Sequence, residues 1–405
     1  MENQALAGLK VLDFGWALVG SMTTKYLADH GAQVIRVESV KRIDLPRANR
    51  LTSKCSANNP DDKRWFLHLN TSKMSLKINI KHPRAREVLD GLVLWADVIN
   101  ENFTPGTLKK LGLDYESIKK VRPDIIMVSG SAYGQTGPMA QEWGVDGTGA
   151  SLSGYLDLTG WPDRGPVGPN SPYGDTLVPF FNAAAVISAL DYKRRTGKGQ
   201  HIDGAMLEIC VHPTTPALLD YQANDHMQTR NGNRIERAAP HGVFPCKGDD
   251  RWCAIAVFTD EEWESFCHVL GDPAWTKQPE FETLQARKAN EDRLEELTAE
   301  WTKQYPPEEV MEKMQAAGVG AGVVQTTEDI VEYDPQLKER EFLIPLEHPV
   351  IGVCGHPTPS FKLLGTKADV KTAPCMGEHN EYICTQILGM SDEEFVDLVR
   401  QDVFQ

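Results

Sequence analysis

Within its first forty residues the chain reads as strand, helix, strand, and that order limits the fold more than any other feature. Val11-Leu12-Asp13-Phe14 is a short apolar run, Gly15 and Gly20 bracket a turn, and Met22 to His30 has helical spacing. Gly31 stops the helix and Val34-Ile35-Arg36-Val37 forms the next strand. Parallel strands need a crossover of this kind, so the pattern predicts a parallel sheet covered by helices. It continues with strands at 75–80, 97–99 and 125–128, a helix from Arg84 to Trp95, and another helix closing at Ser117 to Lys120. The fold class is α/β.

A long helix is expected over 176–195. Its body, FFNAAAVISAL, is rich in small apolar residues and should lie buried, and Pro179 suits its first turn. Lys193-Arg194-Arg195 suits the C-terminus, Gly197 and Gly199 end it, and His201-Ile202-Asp203 is a strand. The character then changes. Residues 222–239 are polar, strand-like pieces at 242–246 and 252–257 flank a turn, and helices follow to about 315. The expected division is a large domain over 1–215, a smaller α+β domain with its linkers over 216–335, and a return to the large domain over 336–405.

At 405 residues the chain is long enough to bury a sizeable core without staples. Its formal charge of −15 argues against nucleic acid and against anionic lipid as partners. No apolar run is long enough to span a bilayer, and MENQALAGLK lacks the basic and apolar blocks of a secretory signal. Eight cysteines without a C-x-x-C pair read as reduced thiols of a cytoplasmic protein.

Several chemistries lack their residues. G-x-G-x-x-G after the first strand, a P-loop, a G-x-S-x-G elbow and H-E-x-x-H are all missing. His241 with Cys246, and His379 with Cys375 and Cys384, come nearest to metal spacing, but neither matches a known pattern, so no metal site is expected. One acid stands out. Asp175, in Ser171-Pro172-Tyr173-Gly174-Asp175-Thr176, opens the long helix. It reads either as an N-cap satisfying free N–H groups, or as a nucleophilic carboxylate held ionised by them, with Gly174 leaving room for a substrate.

The stretches LAGLKVLDFGWALVGSMTTKYLADHGAQVIRVE, LNTSKMSLKINIKHP, ADVINENFTPGTLKKLGLDY, SGSAYGQTGP, YGDT, TGKGQHIDGAMLE, PHGVFPCKGDDRW and APCMGEHN occur in this order over most of the chain. Together they resemble the class III (formyl-CoA transferase-like, CaiB/BaiF-like) CoA-transferases. The resemblance implies a Rossmann-like large domain, a smaller α+β domain and an interlocked dimer, with an identical chain or a related subunit as partner. It implies that Asp175 attacks the thioester of an acyl-CoA to give a mixed anhydride and CoA thiolate, which either returns to give an enzyme thioester or stays bound while carboxylates exchange. Coenzyme A enters as the thioester substrate and a carboxylic acid as acceptor, with no permanently bound cofactor.

By the same resemblance Trp16, Ala17, Leu18 and Val19 line the pantetheine channel. Asn102 and Phe103 sit beside the thioester, and Lys73 and Lys110 lie near the nucleotide phosphates. The family often has a basic residue just after the second strand's glutamate; here Ser39 follows Glu38, and Arg36 stands in. Racemases of the same fold pair the aspartate with a histidine in G-H-D. This chain has Gly144-Val145-Asp146, and valine cannot exchange a proton, which disfavours racemisation. A non-catalytic CoA-binding subunit is the other alternative, and retention of Asp175 disfavours it. Within the family the resemblance is to the aromatic-degradation branch, implying succinyl-CoA as donor and (R)-2-benzylsuccinate as acceptor. Arg47, Arg50 and Arg234 are candidate anchors for a free substrate carboxylate. Asn231-Gly232-Asn233 is a candidate lid over the acyl-enzyme.

Overall fold

The structure is a computed structural model that describes residues 4–48, 59–168 and 172–405. Arg50, Cys55 and Ser171 lie outside the described residues. Six parallel strands form the main sheet: β1 (Lys10–Asp13), β2 (Gln33–Glu38), β3 (Met74–Lys77), β4 (Val98–Glu101), β5 (Ile126–Ser131) and β6 (Gln200–Ala205). Their spatial order is β3-β2-β1-β4-β5-β6, the doubly wound arrangement. Successive residues of each strand face opposite layers. Val11, Val34, Val98, Ile126 and Val128 pack on one side with Leu27 and Ala28 of helix α1 (Ala17–Ala28). Leu12, Ile35, Leu76, Ile99 and Met127 pack on the other with Val88, Leu89 and Leu92 of helix α2 (Ala85–Trp95). Both faces are covered, so the strands are apolar throughout rather than alternating.

Two compact units are present. The first comprises Met1–Leu156, Gly168–Met227 and Gln336–Gln405; the second comprises Asp157–Val167 and Gln228–Pro335. The chain crosses first after Leu156, and the later crossing, expected at 216, falls after Met227. The strap 157–167, which sequence spacing assigns to the large domain, belongs to the second unit. At the end of the chain Leu398, Val403 and Phe404 return to the core of the first unit.

Four further helices complete the part of the first unit that matters here: α3 (Asp146–Leu152), α4 (Tyr173–Thr196), α5 (Met206–Val211) and α6 (Thr215–Asn224). The long helix α4 begins three residues earlier than its spacing suggests, so Pro179 falls in its second turn. Gly197 ends it in the left-handed region at φ 72°. The expectation that its body is buried is corrected. Val178, Asn182, Val186 and Ala189 form a buried stripe, whereas Phe180 and Phe181 are 42% and 44% exposed in this chain. Small apolar residues suit an interior and a partner surface equally, so composition could not separate them.

The second unit holds an antiparallel sheet in the order β7-β8-β9, from β7 (His241–Pro245), β8 (Trp252–Ala256) and β9 (Gly320–Val323). Helices α7 (Asp260–Val269), α8 (Glu291–Thr302) and α9 (Pro307–Ala316) pack on it through Phe266, Leu294, Val310 and Met314. Among the described residues no helix is long and apolar enough to cross a membrane. The seven described cysteines are free thiols.

Candidate functional site

In a doubly wound sheet the chain leaves β1 and β4 in opposite directions, opening a crevice beyond their carboxyl ends. The segments that follow those two strands meet there. Asn102 accepts the Trp16 N–H at 2.6 Å and donates to the Trp16 carbonyl at 2.9 Å. Trp16 also meets Phe103 edge-on, with ring centroids 6.1 Å apart. Ala17 holds a left-handed φ of 49°, unusual for a residue with a Cβ, and its N–H donates to Asp44 at 2.9 Å. Local backbone strain of this kind persists only where the surroundings over-determine it. Trp16 to Leu18 are half-buried. Val19 turns inward, into a cluster with Tyr173, Leu177 and Val178 of α4. One wall therefore joins the start of α1 to the start of α4. Gly20, expected in the turn, is inside α1.

Beneath this wall lies a knot of buried charge. Asp13 accepts from Gly15 N–H, Asn100, Thr24 and Lys73, at 2.6 to 3.1 Å. Burial raises its pKa, but the Lys73 ammonium and Arg36 guanidinium more than offset this and hold it below the usual carboxylate range. Lys73 also donates to the Ser21 carbonyl and to Asn70, and burial pulls its ammonium down to about 8. Arg36 pairs with Asp44 and donates to Ser21 and Asn70. Arg47 forks onto Glu38 at 2.5 and 2.9 Å, reaches Asp61 at 2.7 Å and lies over the Phe66 ring.

These contacts correct three expectations. Lys73 and Arg36 are interior ion-pair partners, 4% and 1% exposed, and do not present their charges to a phosphate. Arg47 is buried in the same knot and cannot anchor a substrate carboxylate. Arg234 is also committed, pairing with Glu295 and Asp292 of α8 at 2.5 to 2.8 Å. Lys110 is exposed in the short helical turn after β4. A further exposed cation, Arg42, lies 4.8 Å from the Trp16 ring centroid. Its sequence signal is the departure at Ser39: the basic residues come two and three positions later, at Lys41 and Arg42.

Asp175 stands in the first turn of α4, where backbone N–H groups lack partners within the helix. It is not the N-cap. Pro172 holds that position and supplies no side-chain bond. The cap comes from elsewhere: Asp146, at the start of α3, accepts the Asp175 N–H at 3.0 Å. Among the described residues the Asp175 carboxylate itself accepts no hydrogen bond, although the residue is half-buried. Burial, and secondarily the like charge of Asp146, push its pKa up to about 6. No helix-end N–H is described as donating to this carboxylate, and the Asp175 N–H itself serves Asp146.

The packing here is close. A Cβ on Gly174 would stand 2.9 Å from the Cys210 sulfur and 3.0 Å from Met206 of α5, so only glycine fits beside the acid. Pro179, four residues after Asp175, has no N–H for the Asp175 carbonyl. Val145 is exposed, and its N–H donates to Thr148 at 2.9 Å. Asn231-Gly232-Asn233 forms a turn in the second unit. Gly232 takes a φ of 59° and lies against the Trp161 ring, and its N–H donates to the Gly160 carbonyl at 2.8 Å.

The arrangement places a half-buried carboxylate without a described donor at the start of α4, whose Tyr173, Leu177 and Val178 cluster with Val19. Comparison with known proteins identifies the family. The model of CoA-transferase family III matches residues 6–380. The chain is 30% identical over 397 residues to succinyl-CoA–D-citramalate CoA-transferase of Chloroflexus aurantiacus, covering 97% of this chain and 96% of that one. It is 29% identical over 405 residues to the beta subunit of succinyl-CoA–L-malate CoA-transferase of the same organism, with 97% and 96% covered. A crystal structure of a CaiB/BaiF family protein from Brucella suis superposes with a TM-score of 0.87 at 31% identity, covering 95% of this chain and all of that one.

Proposed function

The chain belongs to CoA-transferase family III and is a class III CoA-transferase, and from that premise we propose that Asp175 is its nucleophile. An Asp175 oxygen attacks the thioester carbonyl carbon of the donor. The C–S bond breaks, its electron pair goes to sulfur, and a mixed anhydride and CoA thiolate result. The thiolate then attacks the Asp175 carbonyl carbon, releasing the donor acid and leaving an enzyme thioester. The acceptor carboxylate repeats the two exchanges in reverse. Each two-step half-reaction moves CoA from one carboxylate to a similar one, so the thioester's energy is retained if water is kept out. The observation that carries this reading is the freedom of the Asp175 carboxylate: it is half-buried, raised to about 6 and bound by no described donor.

The pantetheine arm runs along Trp16 to Val19 and past Asn102 and Phe103. Its phosphates face Lys110 and Arg42, two of the exposed cations of these segments. The named relatives use succinyl-CoA with dicarboxylic hydroxy acids, which supports succinyl-CoA as donor. The acceptor is (R)-2-benzylsuccinate, the substrate of the succinyl-CoA:(R)-benzylsuccinate CoA-transferase that the sequence resembles. The active form is an interlocked dimer with an identical or related chain, a reading supported by the exposed Phe180 and Phe181 and by a relative that is named as a subunit.

The test is a steady-state screen with succinyl-CoA against benzylsuccinate, malate, citramalate and glutarate. Transfer with parallel double-reciprocal plots, highest kcat/KM for benzylsuccinate, and loss of at least 10³-fold in Asp175→Ala are expected. Activity of Asp175→Ala within tenfold of the parent would remove Asp175; a different preferred acid would replace the acceptor only.

A further inference from the structure

We propose that Asp146 is a positioning residue for Asp175: it holds the nucleophile's turn through the Asp175 N–H, and its negative charge favours acylated Asp175 over the free carboxylate. The inference rests on the reading of Asp175 as nucleophile and adds what drives its acylation.

Two observations carry it. First, α4 begins at Pro172 with no side-chain cap of its own, and the Asp146 oxygen 3.0 Å from the Asp175 N–H supplies one from a separate helix. The start of α3 is itself fixed, since Thr148 donates to the Val145 carbonyl at 2.6 Å and accepts the Val145 N–H. The nucleophile's backbone is thus tied to a second rigid element. Second, the two acids are like charges in a poorly solvated setting. Each would be relieved if the other became neutral.

Acylation is the event that does this. As the Asp175 oxygen bonds to the acyl carbon, its negative charge leaves with the sulfur. Asp175 is uncharged in both the anhydride and the enzyme thioester, and the repulsion from Asp146 disappears in each. Asp146 therefore raises the free enzyme relative to both covalent states.

Other charged groups around this turn do not supply the same effect. From α5 the buried Cys210 thiol faces both acids, and burial pushes it up to about 11, so it is neutral. Tyr173 on α4 is a neutral phenol whose pKa burial raises. On α1, Lys25 pairs with Asp29 at 2.5 Å. β5 carries no titratable side chain, and Asp203 of β6 accepts the Gln135 N–H.

Asp146→Asn separates the two roles, because an amide oxygen still accepts the Asp175 N–H while the charge is gone. The full-length protein is equilibrated with succinyl-CoA, quenched with hydroxylamine and mapped by mass spectrometry. The Asp175 hydroxamate fraction should fall about tenfold in Asp146→Asn, and the acid limb of kcat/KM should move about one pH unit lower. Asp146→Ala should show both changes and also lower Tm, a loss that Asp146→Asn largely rescues. If the asparagine variant does not fold, Asp146→Ser, which keeps a smaller acceptor, is read the same way. An unchanged pH limb and adduct fraction in a folded, uncharged variant would overturn this inference alone. No Asp175 adduct in the parent would instead overturn the reading beneath it.

Discussion

Two groups of charge in the sheet unit, one buried and one half-buried, are handled in opposite ways. Around Asp13, Arg36, Glu38, Arg47 and Lys73 each carboxylate meets a cation, and hydroxyls, amides and carbonyls fill the remaining bonds. Around Asp146 and Asp175 no cation pairs with either acid among the described residues, and the only described link between them is a backbone N–H. The first group is an internal brace: removing either sign leaves the other stranded. The second is left short of partners, as the proposed nucleophile would be. Cations such as Lys110 stand at the surface, but among the described residues none pairs with Asp175.

The contrast can be broken at either end. The largest effect belongs to the brace. Arg47→Ala should cost about 3–5 kcal/mol, because it strands Glu38 in the interior. Urea denaturation reads this directly, and a loss below about 1 kcal/mol would mean that water reaches Glu38 and that the brace is no brace.

At the unsatisfied pair the sign should invert. The pKa of Asp175 lies above its unfolded value, so the native state binds more protons than the unfolded chain between about pH 4 and 6. Stability from this group is present at low pH and is lost as pH rises through about 6. Asp175→Asn, which has no charge to bury, should therefore be more stable than the parent at pH 7, by on the order of 1–3 kcal/mol, and equal to it below about pH 4. Thermal denaturation across that range checks it. A variant less stable than the parent at pH 7 would place Asp175 among satisfied charges after all.

The smallest effect concerns an exposed cation. Arg42→Ala should raise KM for succinyl-CoA about three- to tenfold with kcat little changed, and the difference should shrink as salt is raised. A KM unaltered at low salt would remove Arg42 from the phosphate end.

Strands were the most legible part of the chain. Val11-Leu12 and Ile126-Met127-Val128 are covered on both faces, and a short apolar run between glycines is what such strands require. Helix starts were less legible. α1 opens at Ala17 with no capping side chain on Trp16, so there was no N-terminal signal to read and Gly20 was placed in the turn. Asp175 stood out because its Tyr-Gly-Asp setting is local. Its partner did not, because Asp146 is 29 residues away and draws notice only as the neighbour of Val145. Arg36, Lys73 and Arg47 misled for a related reason. Whether a cation faces solvent or a buried carboxylate is fixed by tertiary packing, and nothing in ESVKRIDLPR distinguishes Arg42 on the surface from Arg47 in the interior.

That an unpaired, half-buried aspartate carries the acyl group is tested most directly by mass. The full-length protein is mixed with succinyl-CoA, trapped with hydroxylamine and digested. A hydroxamate at Asp175, on a peptide spanning Tyr173–Asp175, is expected, requiring succinyl-CoA and missing from Asp175→Asn. A hydroxamate on another carboxylate, with Asp175 unmodified while transfer proceeds, would contradict it.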